Sequence, residues 1–109
     1  MTKLLHPVVI AAVDKLAKSL SPQSGILHPI DRSKAIGLFY ALLDKRYSYE
    51  HHHIFDRLVE NGWSVERAGE VADLAELCSV DGYVKEDPPL GWGERVIKNI
   101  ISERAEDNA

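Results

Sequence analysis

The sequence predicts an all-α fold: a single domain, residues 1–109, built as a compact array of about five helices. Three observations carry this. Apolar residues recur at helical spacing along most of the chain. No segment alternates convincingly at strand period. Proline- or glycine-bearing stretches break the helical pattern at intervals. A chain of 109 residues fits one domain and can bury about two-thirds of its unfolded surface, so it needs no staple.

The first helix begins at Pro7, whose fixed φ suits a first helical turn, and runs to about Leu20. Val9, Val13, Leu16 and Leu20 keep its period, and Asp14 and Lys15 interrupt the apolar run, so it reads as a helix and not a signal peptide. The stretch SPQSGILHPID is a connector. The second helix spans about Asp31 to Arg46, with Asp31 as N-cap. Its IGLFYALL segment is apolar around most of its circumference, which marks the central helix.

Ser48 is placed to cap the third helix, where Ile54, Phe55, Leu58 and Val59 form a stripe. Asn61-Gly62 ends it, with Gly62 as the left-handed C′ residue. Ser64 caps the fourth helix after a link so short that the two helices must turn sharply on each other. Trp63 is placed to pack back against Ala68. Val65, Ala68, Val71, Ala72, Ala75 and Cys78 share one face. Asp81-Gly82 is a turn, and Asp87-Pro88-Pro89 forbids helix continuity. The fifth helix, about Trp92 to Ala105, buries Val96, Ile97, Ile100 and Ile101, and the tail frays from about residue 105.

Composition excludes several classes. The lone Cys78 cannot form an internal disulfide, which fits a cytoplasmic protein and removes a secreted disulfide scaffold. No apolar run is long enough to span a membrane. Residues 1–50 carry seven basic and four acidic side chains, whereas residues 51–109 carry six and thirteen. That asymmetry can steer a partner or favour self-association.

His51, His52 and His53 are the residues that most resemble chemistry. On a helix they point about 100° apart and cannot converge as a triplet. The usable metal pairs are His52 with Asp56 and Glu50 with His53, and a tight site needs a further ligand from His6 or His28. The structural alternative puts His51 at the start of the buried stripe, with His52 and His53 toward solvent.

SVDGYV (79–84) resembles the centre of an EF-hand loop, yet Leu77 and Pro88 fall where carboxylates belong. The Asp81-Gly82 pair also resembles the acidic loops of tellurite-resistance-type helical domains, over a few residues that carry no site. EVADLAELCSVDGYVKE resembles part of a helix-turn-helix, but its second helix would read GYVKEDPP, short, acidic and without base-reading side chains. Nucleic acid is therefore the least favoured partner. The cations Lys3, Lys15, Lys18, Arg32, Lys34, Lys45 and Arg46 are spread over two helices and read as a solvated surface.

No catalytic constellation is present. Cys78 lies on an apolar stripe, Gly91 and Gly93 do not make a phosphate loop, and Glu66, Glu70 and Asp73 repeat as a solvated helix face. Trp92, between two glycines, is the candidate partner anchor, and Tyr47, Tyr49 and Tyr83 at helix ends add to it.

LHPVVIAAVDKLAKSL near the start and WSVERAGEVADLAELC in the middle are the stretches by which the chain resembles a small family of uncharacterised enterobacterial proteins of the YoaC type. The resemblance covers nearly the full length. It implies a compact all-helical array in the bacterial cytosol and supplies no activity, cofactor or site residue. The expectation is a cytoplasmic, non-enzymatic module without a cofactor, acting through contacts with another protein or a second copy. The alternative is a metal- or ligand-binding protein centred on His52, His53 and Asp56. A degenerate nucleic-acid binder is the third reading.

Overall fold

One local solution is used twice to start helices. Leu5-His6-Pro7 and Leu27-His28-Pro29 both place histidine before proline, which holds the histidine backbone extended. An N-cap needs that same backbone. In the computed structural model, which describes residues 5–20, 27–81 and 91–107, His6 has φ −61° and ψ 137° and His28 has φ −60° and ψ 140°. Each Nδ1 then accepts a first-turn amide, from Val8 at 3.1 Å and from Ile30 at 3.2 Å.

The helices are α1 (Pro7–Ser19), α2 (Pro29–Asp44), α3 (His51–Glu60), α4 (Val65–Asp81) and α5 (Trp92–Asp107), and the described residues contain no strand. The all-α reading and the helix count stand. Helix α2 starts two residues before the expected place, because His28 and not Asp31 is its cap. Helix α5 continues through Asp107, past the end expected at Ala105. Ser48 does not cap α3. Glu50 takes that position without a side-chain bond, because Tyr49 is drawn into the core and holds residues 47–50 out of the helix.

Helix α2 is central as its sequence demands. Ile36, Leu38, Phe39 and Leu42 are completely buried, and α2 packs against α1, α4 and α5. Its crossing with α5 is close enough that a Cβ on Gly93 would meet the Gly37 carbonyl. On the other side, α3 and α4 form the most extensively packed pair. Gly62, at φ 90°, turns the chain between them, and Ser64 Oγ accepts the Arg67 amide at 3.2 Å. Both were legible as sequence signals.

Ala68, Val71, Ala72, Ala75 and Cys78 form the buried face of α4. Val65 does not join them and is 65% exposed. It opens the helix at the corner, where Trp63 fills the buried place beside it. In α5, Ile97 and Ile100 are buried and Val96 half-buried, whereas Ile101 lies on the solvent edge.

Polar ties hold α1, α3 and α4 together. Arg57 donates to both Asp14 oxygens, at 2.7 and 2.8 Å, while Asn61 adds a bond to Asp14 at 2.9 Å. The Trp63 indole donates to the Ala17 carbonyl at 3.3 Å, and the Tyr49 hydroxyl to the Ala75 carbonyl at 2.7 Å. Among the described residues, no helix is long and apolar enough to cross a membrane.

Candidate functional site

The site is built where α2 ends. Arg46 has φ 66°, and the Tyr47 amide reaches back to the Leu42 carbonyl at 2.9 Å, so the helix closes in a left-handed cap. The chain then runs without regular structure to Glu50, whose backbone is extended. Tyr49 is pinned by its bond to α4, and burial holds its phenol well above the usual range. Tyr47, half-buried, packs its ring against the His6 imidazole at a tilt of 52°, with centroids 4.7 Å apart. The N-terminal residues of the described chain are thereby set against residues 46–53.

Between them lies a pocket of about 460 Å³, within the range that holds a small ligand. Leu5, Pro7 and Tyr47 supply apolar wall. Arg46, Glu50 and the imidazoles of His6 and His53 supply polar wall. His53 was expected toward solvent; it is half-buried, because it lines the pocket together with residues 5–7 and 46–50. Its Nδ1 is closed off from water and has no hydrogen-bond partner, alone in this among the described residues. Native proteins leave few such groups, because an unmade buried hydrogen bond is costly.

The other predicted site residues are distributed as follows. His52 is exposed, with Nδ1 3.5 Å from a Glu50 oxygen, and its ring lies 4.1 Å from that of His53. Glu50, His52 and His53 bring donor atoms within 4.8 Å of one another. Convergence was not expected of adjacent helical histidines. It arises because Glu50, at the extended cap position, joins two first-turn side chains. Asp56 is exposed one turn further on and belongs to neither metal-capable cluster found among the described residues. The second cluster is His51, Asp73 and Glu76, in which His51 Nε2 lies 2.8 Å from Asp73 and links α3 to α4. His51 is half-buried with its ring parallel to Phe55, as the stripe implied.

Of the two histidines offered as remote ligands, His6 shares the pocket with His53, but its Nδ1 is committed to the cap of α1. His28 caps α2. Trp92 is half-buried against the core, with the Lys34 ammonium 5.6 Å from its ring centroid. Cys78 is buried, and burial pushes its thiol up to about 11. Glu66, Glu70 and Asp73 are exposed on α4 as their spacing implied. The helix-turn-helix and EF-hand likenesses lose their first half. Helix α4 runs unbroken through Asp81, with no turn between Ala75 and Val80. Gly82, Tyr83 and the Asp87-Pro88-Pro89 break lie outside the described residues.

Comparison with known proteins adds a family and a fold. A family model described as a domain of unknown function, DUF1889, matches residues 5–101. A crystal structure of a protein from Salmonella typhimurium is similar with a TM-score of 0.67 at 19% sequence identity, covering 87% of this chain and 98% of that one. At that identity the likeness is one of fold. No curated protein matches the chain.

Proposed function

The chain belongs to the DUF1889 family, and from its geometry we propose that it is a non-enzymatic binding module that takes a small molecule in the pocket between His6 and His53. Within that family the kinship we propose is with the enterobacterial YoaC type, and the place of action the bacterial cytosol. The observation that carries the binding reading is the pocket itself, about 460 Å³, which gathers Arg46, Glu50 and the residues His6 and His53 beside the apolar wall of Leu5, Pro7 and Tyr47. A ligand seated there has both apolar surface to cover and polar groups to fix its orientation.

A non-enzymatic role is supported by the state of the one thiol. A buried Cys78 with its pKa pushed up to about 11 is a poor nucleophile at neutral pH. The test is a fragment screen by amide chemical-shift mapping on the full chain. Binders should move Tyr47 and His53 together. A screen in which every binder maps elsewhere, or none binds, removes the reading.

Protein contacts are the second reading, for which Ile30 and Val65, with 60% and 65% of their surfaces in water, are the first residues to test. Native mass spectrometry of the untagged protein from its own host checks this. A dimer or co-purifying chain supports it, and a bare monomer argues against stable partners.

A further inference from the structure

We propose that the pocket selects an organic anion, an aryl carboxylate, with Arg46 as its charge partner. This rests on the pocket being a small-molecule site. Three observations lead to it.

The first is backbone. Helices α2 and α3 leave by the same route: the residue after the C′ position donates to the carbonyl five residues back, Tyr47 to Leu42 at 2.9 Å and Trp63 to Leu58 at 3.1 Å. At C′ itself α3 has Gly62 at φ 90°, whereas α2 has Arg46 at φ 66°. Glycine is the residue this conformation favours. An arginine held there is a local cost, and such costs gather where a side chain has a task.

The second is charge. Arg46 lines the pocket and forms no ion pair or side-chain hydrogen bond among the described residues. Glu50, the carboxylate of the same wall, faces His52. The pocket wall thus carries an exposed guanidinium without a partner among the described residues, two imidazoles, and one carboxylate that is turned to His52. A guanidinium fork matches a carboxylate in two parallel hydrogen bonds.

The third is shape and polarity. Leu5, Pro7 and the tilted His6–Tyr47 ring pair give a ligand's ring an apolar seat next to that charge. A ligand with an aromatic ring and a carboxylate uses both halves.

The experiment titrates the full chain with 2-naphthoate and with its neutral isostere 2-naphthamide, read by amide chemical shifts. The acid is expected to bind about tenfold tighter than the amide, with Tyr47 and His53 moving. Arg46→Gln should erase that preference. Arg46→Gly, which the positive φ favours, serves as a folded variant with the same loss of charge. The preference should also shrink in high salt. Equal binding of acid and amide, or a preference that survives both substitutions, overturns the anion assignment and leaves the pocket reading standing. Absence of binding by either probe at those residues overturns both.

Discussion

Gly93 of α5 lies so close to Gly37 of α2 that a Cβ on Gly93 would stand 2.6 Å from the Gly37 carbonyl carbon and oxygen. That separation cannot be met by rotating a side chain, because the atoms are backbone on both sides. Gly93→Ala should therefore push the two helices apart and cost about 1–3 kcal/mol. Chemical denaturation measures it. A wild-type midpoint would mean that α2 and α5 cross at a greater distance.

Arg46 and Gly62 give opposite predictions from one backbone conformation. Gly62→Val should destabilise by about 1 kcal/mol or more, because a β-branched side chain opposes φ 90°. Arg46→Gly should leave stability unchanged or raise it by up to about 1 kcal/mol. Melting temperatures that fall for both variants would contradict the left-handed cap at Arg46.

Ile36 is wholly buried on the central helix. Ile36→Ala should cost about 2–5 kcal/mol through lost burial and a residual cavity. A loss under about 1 kcal/mol would mean that α2 does not occupy the middle of the core.

Asp14 makes stability depend on acid. Hydrogen bonding from Arg57 holds its carboxyl below the ordinary value of 3.8, against the opposing effect of burial. The folded pKa is thus lower than the unfolded one. The stabilisation is complete above the unfolded value and fades as pH falls through the folded value. Asp14→Asn should cost about 1 kcal/mol at neutral pH, a figure discounted because both side chains keep part of their surface in water. The variant should also lose stability less steeply than wild type below pH 4. Parallel acid-denaturation curves for the two would refute the linkage.

Cys78 should resist thiol reagents in the native protein. Its pKa, raised from 9.0 to about 11 by burial, leaves roughly a hundredfold less thiolate at neutral pH than an exposed cysteine has. Labelling should become fast only in denaturant. Rapid native labelling would place the sulfur at the surface.

The fold was largely legible because local signals and burial agreed. The apolar circumference of α2, Gly62 and the Ser64 cap each specify their place without reference to the rest of the chain. The start of α3 was not legible from Ser48, since Tyr49 is fixed by a bond to Ala75 across 26 positions. The caps at His6 and His28 had a signal in the repeated Leu-His-Pro, but imidazole is outside the usual set of capping side chains. The pocket had no signal. It exists because α1 begins beside residues 46–53, a proximity that tertiary packing alone creates. The sequence neighbours of His53 mark it as a metal ligand, while its surroundings come from that packing.

The two tryptophans of this chain sit in different seats. Trp63 is sealed at the junction of α1, α3 and α4, with its indole bonded to Ala17, and Trp92 stays half in water under the ammonium of Lys34 at the α2–α5 side. Their fluorescence is therefore divided by colour, the blue edge coming from Trp63 and the red edge from Trp92. The molecule carries two built-in optical gauges, one on each side of its core. If both edges shift at the same denaturant concentration, the bundle opens as one cooperative body. If the red edge moves first, α5 peels away while the other helices hold.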